Sequence, residues 1–176
     1  MDKTEILRLM SKFEKARHNL LLVIVFTAIN LILIAVEANY YFLFSATAPL
    51  LSYGIGWDLS YELLSNEYLI AGIVVAVIII LLYAAFWLFA KRRRAFILAA
   101  FILFLIDSLI YGLLLADVLL ADEFVFTELL DIAFHIWILI ALFSGIIAWR
   151  KLRGVNTDEI ANESLDLSTV KRTEEQ

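Results

Sequence analysis

Residues 68–94 read YLIAGIVVAVIIILLYAAFWLFAKRRR. The first 23 of them, Tyr68–Ala90, carry no charge, and four consecutive cations follow, Lys91, Arg92, Arg93 and Arg94. A bilayer's hydrocarbon core is about 30 Å thick and needs roughly 20 apolar residues of helix to cross it. The run therefore predicts a membrane-spanning helix with its last residues at a basic boundary. Working outward, three further stretches have the same character. Leu20–Val36 precedes it, with apolar residues continuing through Tyr40–Leu51. Ala95–Ala121 follows, interrupted by Asp107 and Asp117. Leu129–Trp149 comes last and carries Asp131 and His135.

Composition agrees. Of 176 residues 63% are hydrophobic, more than a water-soluble core of this length can hide, and the mean hydropathy is +0.89. One Pro and six Gly leave long helices uninterrupted, and the absence of Cys excludes disulfides, thiol chemistry and Cys-ligated metal clusters. The net charge of -5 conceals a sorting by region. All 14 Lys and Arg fall in four places: before span one (Lys3, Arg8, Lys12, Lys15, Arg17), between spans two and three, after span four (Arg150, Lys151, Arg153), and in the tail (Lys171, Arg172). The other loops hold acids alone: Asp58, Glu62 and Glu67 in one, Asp122, Glu123 and Glu128 in the other. Positive charge is retained in the cytoplasm. The expected fold is an all-α, antiparallel up-down four-helix transmembrane bundle with both termini cytoplasmic, in the plasma membrane. Its spans cover about 20–36, 68–90, 95–121 and 129–149. The short basic flanks do not form the aromatic-laced face that nucleic acid requires.

Span one has an alternative reading as a cleaved signal peptide, because Ala46-Thr47-Ala48 mimics a cleavage site. Pro49 directly after it and a basic region of 18 residues before the apolar run argue for a retained span. Residues 1–18 place Ile6, Leu9, Met10, Phe13 and Ala16 at helical spacing opposite the cations. This predicts an amphipathic helix on the cytoplasmic membrane surface, or else an extension of span one. Residues 154–176 are polar and acid-rich and read as a flexible cytoplasmic tail. The long connection Glu37–Glu67 is rich in Tyr, Trp and Phe (Tyr40, Tyr41, Phe42, Phe44, Tyr53, Trp57, Tyr61) and reads as a short helix and turn along the outer interface, broken at Gly54 and Gly56. Small-residue pairs at Gly72/Ala76, Ala141/Gly145 and Ser144/Ala148 offer close helix contacts.

Polar side chains at membrane depth are the candidates for function, since each costs about 2.5–3.5 kcal/mol to insert and normally faces a partner. From a rise of about 1.5 Å per residue, Asn30, Asp107 and His135 lie roughly 16, 18 and 21 Å from the inner ends of their spans. They form one layer. Tyr111 shares the face of Asp107, Asp131 that of His135, and Glu37 that of Asn30, while Asp117 lies higher. The expectation is a polar path with Glu37, Asp117 and Asp131 above and Asn30, Asp107 and His135 as its floor. His with a carboxylate can relay protons. Asp107, Asp131 and His135 together could hold a divalent cation. Haem is not expected with a single His inside the spans, and no nucleophile triad, phosphate loop or HExxH motif is present. The competing reading is a structural clasp between spans three and four.

Several runs resemble a known family. Ala16-Arg17-His18-Asn19-Leu20-Leu21-Leu22, Phe26-Thr27-Ala28-Ile29-Asn30, Tyr41-Phe42-Leu43-Phe44-Ser45-Ala46 ahead of Pro49, Ile106-Asp107-Ser108 and Asp131-Ile132-Ala133-Phe134-His135-Ile136-Trp137 resemble small four-span membrane proteins of low-GC Gram-positive bacteria, a family without an assigned function. The resemblance covers most of residues 16–153, except Gly54–Glu67. It implies a bacterial plasma membrane and places Asn30, Asp107, Asp131 and His135 in recognisable motifs. It supplies no activity. Three functions stay open: an ion- or proton-binding transport protein, acting alone or as a homo-oligomer; an accessory protein packing with a larger membrane partner; and a metal-dependent intramembrane enzyme.

Overall fold

The computed structural model describes residues 1–38, 42, 44–121 and 125–155. They form α1 (Lys3–Ala35), α2 (Thr47–Glu62), α3 (Asn66–Arg92), α4 (Phe96–Leu120) and α5 (Phe126–Lys151), with no strand among the described residues. Four of these helices, α1, α3, α4 and α5, are long and apolar enough to cross a membrane. The chain is an all-α antiparallel bundle. Its helix ends follow the charge sorting. Glu67 and Glu128 sit in the first turns of α3 and α5, and Lys91, Arg92, Arg150 and Lys151 in their last turns, each sign opposing the helix dipole it meets. Ser65 caps α3, its side chain accepting the Glu67 N–H at 3.4 Å. One end of the bundle is therefore basic, and it holds the start of α1, the joint between α3 and α4, and the end of α5. The opposite end is acidic.

Two elements differ from the expectation. Residues 1–18 are not a separate surface helix. α1 runs unbroken from Lys3, and Ile6, Leu9, Phe13 and Ala16 are buried in the same core as Ile146, Ala148 and Leu152 from the end of α5. The apolar stripe meets protein because α5 is long enough to follow it. Arg17, buried beside this core, pairs with Glu14 at 2.7 Å and lies 5.7 Å from the Trp87 ring centre.

The second difference is α2. It is a continuous helix of 16 residues, with neither Gly54 nor Gly56 breaking it. Gly56 is instead a contact point. A Cβ there would lie 2.7 Å from the Tyr68 carbonyl oxygen, and one on Gly72 would lie 2.5 Å from the Ser52 carbonyl oxygen. Bare backbones thus let α2 and α3 pack as a tight antiparallel hairpin. Gly145 plays the same part where α5 meets Ala16 of α1. Tyr40, Tyr41, Asp122, Glu123 and the tail from residue 156 lie outside the described residues. Apolar side chains of α3, among them Ile70, Val74, Ile78 and Leu81, face outward, the surface a lipid solvent would cover.

Candidate functional site

α2 starts inside the bundle, and that start accounts for two buried polar side chains, Thr27 and Asp107. The first four N–H positions of a helix have no intrahelical acceptor. In α2 they belong to Ala46, Thr47, Ala48 and Pro49. The Ala46 N–H donates to Thr27 Oγ1 of α1 at 2.8 Å, and the Thr27 hydroxyl in turn donates to the Val23 carbonyl at 2.6 Å. The N–H groups of Thr47 and Ala48 donate to the two carboxylate oxygens of Asp107 on α4, at 3.0 and 2.7 Å. Pro49 has no N–H to satisfy. The count closes without water.

The strand of chain leading into α2 is held in the same way. Asn30 of α1 grips Phe42 at two points, its amide nitrogen donating to the Phe42 carbonyl and its oxygen accepting the Phe42 N–H at 2.6 Å. The Phe44 N–H points to Asp131 Oδ1 of α5 at 3.3 Å. Phe44 holds a φ of +79°, a conformation side chains rarely adopt, with its ring against Phe134 at 5.3 Å. Residues from α1, α4 and α5 thus clamp a re-entrant segment and helix. Irregular backbone at membrane depth requires such internal partners.

His135 lies under this clamp and is 5% exposed. Its ring is stacked on Tyr111 at 4.5 Å and 3°, and on Phe104 at 5.4 Å and 20°. Phe104, Asp107 and Tyr111 share one face of α4, so a single helix presents two ring walls and a carboxylate to the imidazole. Nδ1 lies 2.8 Å from the Asp131 carbonyl oxygen, which can only accept, so Nδ1 carries a proton. Nε2 has no hydrogen-bond partner among the described residues and lies 3.5 Å from Asp107 Oδ2. The Tyr111 hydroxyl bonds Glu128 at 2.9 Å to Oε2. A cavity of about 300 Å³ on the acidic side of this layer is lined by His135, Asp131, Glu128, Tyr111, Ser45 and Thr47, and by leucines of α2 and α4.

No family model, no curated protein and no solved structure matches the chain. Its chemistry therefore has to be read from the site.

The structure brings together five of the seven residues that sequence reasoning put in the polar layer: Asn30, Asp107, Tyr111, Asp131 and His135. Glu37 and Asp117 stay apart and exposed, and Glu128 joins Asp131 at the cavity instead. Glu37 has a different task. It sits at φ +55° just past α1, where the Glu37 N–H donates to the Ile34 carbonyl and the Ala38 N–H to the Leu33 carbonyl, a Schellman stop. Among the described residues no three His, Asp or Glu side chains are grouped to hold a metal ion. Both Asp107 oxygens are used by α2, and His135 Nδ1 by its own helix. Besides Glu128, Thr27 and Tyr83 are residues of the layer that spacing does not disclose. Thr27 had one signal, a hydroxyl one turn before Asn30. Tyr83 is the buried phenol of α3, edge-on to Phe104, and it stood out only as a polar atom in an uncharged span.

Proposed function

We propose that the protein is a multi-pass plasma-membrane protein that takes up a proton from the outer side, with His135 Nε2 as the proton's seat. The basic end would face the cytoplasm, following the retention of positive charge. The single observation that carries the reading is Nε2, buried at a cavity floor, aimed at the Asp107 carboxylate and without a hydrogen-bond partner among the described residues. With Nδ1–H fixed on the Asp131 carbonyl, the neutral ring turns a lone pair toward Oδ2. A second proton converts that contact into an ion pair. The charged and titratable groups facing the imidazole are Asp107 and Tyr111 from α4, Asp131 and Glu128 from α5, and Tyr83 of α3 behind Asp107. α2 contributes the positive end of its dipole, and α1 the neutral Thr27 and Asn30. Proton binding at Nε2 would thus alter the charge balance on the carboxylate that holds α2.

The accessory-protein reading is favoured by a separate observation, the use of both Asp107 oxygens as backbone acceptors, which is sufficient reason for a buried acid. Proteoliposomes with an internal pH dye separate the two. Proton uptake driven by an imposed gradient should be present with the native chain and lost with His135→Gln, the variant remaining folded by circular dichroism. Absence of uptake by the native chain would leave the layer as a clasp and make the accessory reading the better one.

A further inference from the structure

At the basic end, away from the His135 layer, the last turn of α3, the α3–α4 joint and the end of α5 with the residues that follow it line a second cavity, of about 380 Å³. Lys91, Arg92, Arg94 and Arg153 line it, with Trp149 on its wall and Leu152 buried beneath. Among the described residues no Asp or Glu lines it. The arrangement follows from the helix ends. Cations that suit the C-terminal dipoles of α3 and α5 are carried on neighbouring helices, and the three-residue joint Arg93–Ala95 folds Arg94 back so that its guanidinium lies 5.9 Å from the Phe13 ring centre. Lys91, Arg92 and Arg153 have no ion-pair partner among the described residues. Lys91, Arg92 and Arg153 around one hollow repel one another, and a multivalent anion in the hollow relieves this.

We propose that this cavity binds a phosphate group, supplied by the headgroup of an anionic phospholipid in the leaflet at the basic end. Arginine forks match phosphate oxygens bidentately. The position decides the source. The cavity lies where apolar helix gives way to cations, the depth at which a phospholipid's phosphate sits, and Trp149 marks that boundary. A lipid seated there can lay its chains along the apolar flanks of α3 and α4, where Leu88, Phe89 and Leu98 face outward. The site draws on the end of α3, the α3–α4 joint and the end of α5, so an occupied site would tie that joint to α5.

The test uses the full chain in a neutral detergent and reads the melting temperature against added short-chain phosphatidylglycerol, phosphatidylcholine or inorganic phosphate. Phosphatidylglycerol should raise it saturably, phosphatidylcholine should not, and inorganic phosphate at equal concentration should give a much smaller rise. Arg92→Gln with Arg153→Gln should keep the resting melting temperature, since both side chains are exposed, and should weaken phosphatidylglycerol binding on the order of tenfold or more. Arg153→Gln alone should give a partial loss. Lys3→Gln with Arg8→Gln, which removes equal charge from the same end outside the cavity, should leave binding unchanged. An equal loss in that control would mean diffuse surface attraction and overturn the site. An equal response to inorganic phosphate would overturn the lipid as its source.

Discussion

Asp107 can be altered so that shape is kept and accepting capacity is halved. In Asp107→Asn the amide oxygen can take one of the two α2 N–H groups, and the NH₂ must face the other. A buried donor left unpaired costs about 1–3 kcal/mol. Reversible unfolding in mixed micelles should show a loss of that size. His135→Gln should also destabilise, and the double change should cost less than the sum, with a coupling of roughly 0.5–3 kcal/mol. Strict additivity would mean that the 3.5 Å contact carries no energy and would remove the proton seat with it. Thr27 offers a cleaner contrast. Thr27→Val keeps the volume and deprives the Ala46 N–H of its acceptor, so it should lose about 1–3 kcal/mol, while Thr27→Ser should recover most of it.

The helices carry their own tests in their turns and contacts. Leu64 follows α2 at φ +51° and is 92% exposed, and the Ser65 N–H donates across it to the Ser60 carbonyl. Leucine pays a steric cost there that glycine does not. Leu64→Gly should therefore raise stability by roughly 1 kcal/mol, read as a shift in unfolding midpoint. Gly72→Ala should do the opposite. Its methyl group would strike the Ser52 carbonyl, a backbone atom that cannot swing aside, and a loss of about 1–3 kcal/mol is expected. These elements differ in how far the sequence discloses them. The four spans are legible because an unbroken apolar run and its flanking cations are local signals. α2 is not. Its 16 residues are too few to span, its glycines read as breaks, and the acceptors that let it start inside the bundle sit on other helices. The same reason divides the site. The heights of Asp107 and His135 follow from residue counting, and their pairing is found. That Asn30 and Asp131 hold backbone, and that Glu37 ends a helix, depends on where residues 42–48 go, which no spacing rule supplies.

At the scale of the whole molecule, orientation is the quantity to measure. Introduced cysteines have no native competitor, because the chain contains none. Asn66→Cys, at the acidic end, should react with an impermeant thiol reagent on intact cells, and Arg93→Cys, at the basic end, should react only after the membrane is opened. The reverse pattern would place the basic end outside and turn the proposed proton path toward the cytoplasm.

The closing of the α2 start also has a consequence for how the chain is made. Of its acceptors, Thr27 emerges before the helix it serves, whereas Asp107 follows Thr47 by 60 residues and Asp131 follows Phe44 by 87. A ribosome-bound chain that has delivered α1, α2 and α3 still holds three N–H groups, those of Phe44, Thr47 and Ala48, with no protein acceptor, and hydrocarbon offers none. During synthesis α2 must wait at a wet boundary and enter the bundle only after α4 is in place. Chains halted just before residue 96 should therefore expose a cysteine placed at Thr47 to water-soluble reagent, and chains released after residue 155 should shield it. The last helices made complete the seat of the second.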